Sequence, residues 1–213
     1  MCGRYTLSSN YHDLEVRFSF KGLDLDYRPR YNIAPSQKVL TVTNEEDINT
    51  KFMRWGLIPS WAKDPKIGNR MINARCETVA EKPSFQAAFR RRRCLVPATG
   101  FYEWQKTGGR EKQPWHIHRP DDSPLAFAGI WERWEADDGS ALETCAIITT
   151  AANSRMDPIH HRMPVILAPD DYGTWTGGDA EGARGLCRAW AGPLTLDRTQ
   201  QPWAGGAAQA TLL

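Results

Sequence analysis

The sequence predicts an α+β fold: a mixed, strand-rich domain with a barrel-like mixed β-sheet flanked by helices. Three observations predict it. Short alternating apolar segments, bounded by Gly, Pro, Asn and Asp turns, recur through the chain. Only a few segments carry helical spacing. No linker or repeat interrupts the 213 residues, a length that suits one hydrophobic core. The expected core spans residues 2–176. Residues 177–213 are rich in Gly and Ala and are expected to form a loosely ordered tail of the same single domain.

Taken in order, Cys2 to Thr6 reads as a first strand. Ser8 and Ser9 are positioned to cap a helix from Asn10 to Phe18, with Leu14 and Phe18 on one face. Lys21 to Arg30 is a polar loop, and Tyr31 to Pro35 is a tight segment punctuated by proline. Lys38 to Thr43 alternates as a strand, Asn44 to Asn49 turns, and Lys51 to Trp55 returns. Gly56 to Asn69 forms a long loop carrying Trp61, of the kind that usually serves function. Met71 to Thr78 is extended, and Pro83 to Arg92 suits a helix, with arginines 90–93 either at its negative C-terminal end or forming a phosphate-binding patch. Strands follow at Cys94–Ala98, Phe101–Lys106, Trp115–Arg119, Leu125–Trp131 and Thr144–Thr150, with hairpins at Gly108-Gly109 and Asp137-Asp138-Gly139. A turn covers Ala152 to Asp157, a strand covers Pro164 to Leu167, and Pro169 starts a last helix through Trp175.

Composition limits the function classes. With 27 basic and 25 acidic residues the net charge is +2, so a nucleic-acid contact has to come from a local patch. Nine tryptophans exceed what such a core needs and suggest an aromatic binding surface. The five cysteines are odd in number and widely spaced, with no CxxC or Cys/His metal pattern, so neither a disulfide framework nor a metal or other cofactor is expected. No apolar run reaches membrane-spanning length, and a reducing, intracellular compartment follows from the cysteine usage.

The chemistry starts at Cys2. Removal of Met1 leaves an α-amine and a thiol on adjacent carbons. Such a pair captures an aldehyde as an imine and closes it to a five-membered thiazolidine; alternatively, the amine serves as base for its own thiol. Glu103 lies among three aromatics in Gly100-Phe101-Tyr102-Glu103-Trp104, a setting that raises a carboxyl pKa and suits proton transfer. Asn73 sits in a short extended segment, and His160 on a Pro-bounded turn is an acid/base candidate. Arg4, Arg75 and Arg162 lie one or two residues from these positions and fit a phosphate-bearing substrate. Pro35, Trp55 and Trp61 can stack on or wedge between bases. Together they suggest single-stranded DNA with a reactive carbonyl, for which an abasic site is the obvious source.

Six blocks carry a resemblance: the N-terminal Met-Cys-Gly-Arg, Tyr31–Pro35, Met53–Trp61, Asn73–Thr78, Gly100–Trp104 and Ile159–Pro164. Together and in this order they resemble the SOS-response-associated peptidase (SRAP) domain. The resemblance implies a protein that crosslinks to abasic sites in single-stranded DNA through Cys2. Asn73, Glu103 and His160 would be its other active-site residues, and Arg4, Pro35, Trp55, Trp61, Arg75 and Arg162 would contact DNA. It further implies self-processing at Met1, a peptidase label, lyase-like chemistry and a monomer associated with the nucleoid and replication-fork proteins. His160, rather than His161, falls at the catalytic position. Two other readings stand beside it: an N-terminal nucleophile amidohydrolase, and a non-covalent module for single-stranded DNA.

Overall fold

The computed structural model describes residues 2–20, 27–44 and 48–200. Removal of Met1, most of the Lys21–Arg30 loop, the tip of the Asn44–Asn49 turn and the end of the tail lie outside the described residues. The strands are β1 (Tyr5–Leu7), β2 (Arg30–Ile33), β3 (Lys38–Asn44), β4 (Ile48–Trp55), β5 (Asn73–Arg75), β6 (Arg93–Ala98), β7 (Gly100–Lys106), β8 (Lys112–His118), β9 (Leu125–Glu135), β10 (Ala141–Ala151), β11 (Arg162–Pro164), β12 (Ile166–Leu167) and β13 (Thr195–Arg198). Four short helices accompany them: α1 (Tyr11–Phe18), α2 (Gln86–Arg91), α3 (Tyr172–Gly177) and α4 (Ala180–Gly185).

The strands form two sheets. One runs β13-β8-β7-β1-β2, and the other runs β11-β10-β4-β3-β6-β9-β12 with β5 added on β10. Strand β10 makes the second sheet mixed, because β4 and β5 run parallel to it while β9 and β11 run antiparallel. Apolar side chains from both sheets fill one continuous core, including Tyr5, Phe101 and Phe127, whose rings meet edge to face. The mixed, strand-rich α+β fold is therefore as the alternation predicts.

Local departures have local causes. Asn10, and not a serine, caps α1: its side chain accepts from Asp13 N at 2.9 Å, while Ser8 Oγ is engaged with Thr99 Oγ1 at 3.0 Å. Helix α2 is shorter than the Pro83–Arg92 expectation. Arg93 turns inward and donates to the carbonyls of Phe89, Arg90, Trp175 and Gly178, so it closes the end of α2 and is lost to any phosphate patch. Residues 177–198 are more regular than a loose tail, since they hold α4 and the edge strand β13.

Two glycines shape the long loop after β4. Gly56 has φ +130°, and a Cβ there would lie 2.5 Å from the Gly68 carbonyl oxygen. A Cβ on Gly68 would in turn meet the Gly56 carbonyl at 2.6 Å. Backbone thus packs on backbone, and the loop is held against the strand that leads into it. Among the described residues, no helix is long and apolar enough to cross a membrane.

Candidate active site at the amino terminus

Sheet pairing delivers the site residues to one place. Tyr5 on β1 pairs with Phe101 on β7, and Tyr102 N donates to Arg4 O at 2.9 Å. This register carries the chain before β1 alongside Glu103. On the other side, β5 lies parallel on β10 with Asn73 opposite Ile147. Asn73 Nδ2 then donates to the Cys2 carbonyl at 2.9 Å, joining the amino-terminal segment to the second sheet. The Trp55 indole N–H donates to Ile72 O at 2.8 Å and fixes the approach to β5.

The turn holding His160 is tied to the same region. Gln105 on β7 donates from Nε2 to Pro158 O at 3.0 Å. His160 Nδ1 accepts the Arg162 backbone N–H at 3.0 Å. The same Nδ1 lies 3.2 Å from the Arg162 carbonyl oxygen, so the backbone of Arg162 holds this edge of the ring with both its groups. Burial lowers the His160 pKa, which keeps the ring neutral near pH 7. His161 stacks on it with ring centroids 4.5 Å apart.

The electrostatics separate the groups by role. Cys2 is fully buried, and burial followed by the negative charge of Glu103 pushes its thiol far above the ordinary range. Glu103 is 2% exposed, and burial raises its carboxyl from 4.5 to about 7. It can therefore take up and release a proton near neutrality. Asn73 Oδ1 is buried and accepts no hydrogen bond among the described residues, so an acceptor stands beside the Cys2 backbone. Cys2, Asn73 and Glu103 thus converge, and His160 stands on the adjoining turn.

The expected DNA-contact residues divide. Trp61 is 59% exposed on the long loop, Arg75 is exposed and Pro35 is partly exposed. Asn69 Oδ1 accepts from both Ser36 Oγ (3.1 Å) and Arg54 (2.8 Å), and so links the Pro35 turn to the Trp61 loop. Arg4 donates to Asn32 Oδ1 at 3.0 Å. Arg162 makes a two-pronged pair with Glu77, at 2.6 and 2.9 Å, and also donates to Thr149 O. Its charge is therefore shared with a carboxylate. Trp55 departs from expectation, since it has no exposed surface and packs edge to face on Tyr5. Its indole lies under the site and cannot stack on a base.

Sequence reasoning missed Glu77, Asn32 and Asn69. Glu77 holds Arg162, Asn32 holds Arg4 and Asn69 holds Ser36 beside Pro35, but the partners are 85, 28 and 33 positions apart and no local pattern joins them. Among the described residues, no group of three His, Cys, Asp or Glu could hold a metal.

Comparison with known proteins gives the family. The chain is 46% identical over 178 residues to the abasic site processing protein YoqW of Bacillus subtilis, covering 82% of this chain and 80% of that one. It is 34% identical over 181 residues to the abasic site processing protein YedK of Escherichia coli, covering 82% and 79%. Its fold matches the crystal structure of a Bacteroides thetaiotaomicron protein with a TM-score of 0.84 and 28% identity, covering 93% of this chain and 92% of the other. The family model described as SOS response associated peptidase (SRAP) matches residues 1–196. With that match over nearly the whole described chain, the protein belongs to the SRAP family.

Proposed function

We propose that this protein senses abasic sites in single-stranded DNA and shields them by a covalent thiazolidine link through Cys2, after Met1 is removed by self-processing or an aminopeptidase. The observation that carries the reading is the convergence of Asn73 and a proton-exchanging Glu103 on Cys2. The names of the relatives, abasic site processing proteins, support the substrate.

The steps follow from the groups present. An abasic sugar interconverts between a closed ring and an open aldehyde. His160, held neutral by burial, assists the opening. The Cys2 amine adds to the C1′ carbon while Glu103 accepts its proton. Glu103 passes that proton to the alkoxide formed at C1′, giving the carbinolamine. The second N–H proton then goes by way of the same carboxyl to the hydroxyl, which leaves as water, and an imine forms. The Cys2 sulfur then adds to C1′, the S–H proton passes to the imine nitrogen and the five-membered ring closes. One water is lost overall. Asn73 Oδ1 accepts from the amine and aims it, so part of the entropy of the reaction is spent in folding.

The environment of the thiol also favours a trap over hydrolysis. A hydrolytic cysteine attacks as thiolate, whereas in the chain that still carries Met1 burial and Glu103 push the Cys2 thiol up and so favour its protonated form. An S–H group suits the second step, because the imine nitrogen needs the proton that the sulfur loses. Arg4, Arg75 and Arg162 would meet the phosphates on either side of the lesion, with Pro35 and Trp61 shaping the strand. The test is a single-stranded oligonucleotide with one abasic site, incubated with protein and run on a denaturing gel. A heat-stable adduct that is absent with intact DNA and absent in Cys2→Ala is the expected result. Binding that disappears on denaturation would point to a non-covalent module instead, and glutamine hydrolysis to an amidohydrolase.

A further inference from the structure

The five cysteines fall into two groups. Cys2, Cys94 and Cys145 have no exposed surface, and burial pushes each thiol up. Cys76 and Cys187 differ. Cys76 directly follows β5 and is 9% exposed, while Cys187 follows α4 and is partly exposed. Cys76 Sγ donates to the Cys187 carbonyl oxygen at 3.8 Å, which sets its sulfur against residue 187, and each thiol is the first influence on the titration of the other. A backbone bond from Cys76 N to Thr149 O at 2.9 Å fixes one partner on β10. A second, from Cys187 N to Arg184 O at 3.1 Å, fixes the other at the end of α4. Two free thiols are thus held side by side by elements far apart in sequence.

We propose that Cys76 and Cys187 form a peroxide-reactive dithiol, a modification site that closes to a disulfide beside the active-site strand. The Cys76 thiolate attacks one oxygen of a hydroperoxide, the O–O bond breaks, and Cys76 becomes a sulfenic acid while the other oxygen leaves and takes a proton. Cys187 sulfur then attacks Cys76 sulfur. The S–O bond breaks, and the departing hydroxide combines with the Cys187 proton as water. Two electrons pass from the dithiol to the peroxide.

The local electrostatics agree with this assignment of roles. The hydrogen bond from Cys187, then one from Thr150, stabilises a Cys76 thiolate against the cost of burial and holds its pKa below the ordinary thiol range. The same bond pushes Cys187 up, so Cys76 is the attacking sulfur and Cys187 the resolving one. The disulfide would tether β5, which carries Asn73 and Arg75, to the segment after α4.

The test is peptide mapping of the full-length protein after brief treatment with hydrogen peroxide, with remaining thiols alkylated before digestion by trypsin. Residues 76–90 and 185–188 should appear as one linked peptide with the mass of both less two hydrogens, and dithiothreitol should separate them. Cys187→Ser should accumulate a Cys76 sulfenic acid that dimedone captures, at least about tenfold faster than label enters Cys94 or Cys145. Cys76→Ser should leave Cys187 open to alkylation. If both wild-type thiols remain alkylatable while free cysteine is consumed, or if the linked peptides involve other cysteines, the proposal is overturned.

Discussion

Glu103 and Glu77 are both carboxylates close to the amino-terminal site, and their surroundings drive them in opposite directions. Glu103 is almost wholly buried, and burial lifts its carboxyl to about 7. The Glu77 side chain is 48% exposed, and the Arg162 guanidinium holds its carboxyl below the usual range. The first can exchange a proton near neutrality; the second stays ionised and acts as an anchor for a cation. Environment, and not residue type, divides the labour.

The largest effect is expected for Glu103→Gln, which keeps the shape and removes the titrating proton. Adduct formation should slow by about 100-fold or more, the usual worth of general acid–base catalysis. The wild-type rate should also rise with pH across neutrality, as Glu103 ionises and can accept the proton of the amine. A time course on denaturing gels at several pH values checks both points. A Glu103→Gln rate within twofold of wild type would remove Glu103 from proton transfer.

Stability against pH comes next. The folded pKa of Glu103 lies above its ordinary 4.5, so between 4.5 and about 7 the native state binds more protons than the unfolded chain. Stability should therefore fall as pH rises through that window, by up to roughly 3 kcal/mol, and Glu103→Gln should flatten the fall. Glu77 has the opposite sign. Its folded pKa is depressed, so its contribution is present above the unfolded value and is lost as pH drops through the folded one. Urea unfolding at pH 5 and pH 8 reads Glu103, and a further measurement near pH 3 reads Glu77. Stability in Glu103→Gln that still falls as steeply as wild type would assign the pH dependence to other groups.

The smallest effect belongs to Glu77→Gln. An ion pair this exposed contributes about 1 kcal/mol at most, so the adduct rate should move by less than about threefold and only the acid side of the stability curve should shift. A loss comparable to that in Glu103→Gln would mean that the anchor takes part in the chemistry.

Much of this was legible in the sequence, and the reason differs by residue. Strand alternation exposed the sheet-forming segments, because period two is a local signal. The aromatic setting of Glu103 foretold its raised carboxyl, since neighbours along a strand supply part of its burial. Trp55 and Trp61 show the limit. They are six positions apart in one loop-bounded motif, yet Trp55 is fully buried and Trp61 is 59% exposed. Trp55 ends β4, pairs with Cys145 and donates to Ile72 O, whereas Trp61 lies in the loop beyond, and these are tertiary facts that no local composition records. Trp55→Ala should accordingly cost about 3–5 kcal/mol of unfolding free energy, measured by urea denaturation, whereas Trp61→Ala should leave stability unchanged. The Cys76–Cys187 pair was invisible for the same reason, with 111 positions between its members.

The central claim is that the amine and the thiol of Cys2 act together on one aldehyde carbon. The most direct measurement compares wild type and Cys2→Ser on abasic single-stranded DNA, with and without borohydride. Wild type should give a stable adduct without reductant, mapped by peptide mass to residue 2 as the amino terminus. Cys2→Ser, which keeps the amine and lacks the sulfur, should give a lasting adduct only when borohydride reduces the imine. A Cys2→Ser adduct that survives denaturation without reductant, or a wild-type link mapped to any other residue, would contradict the account.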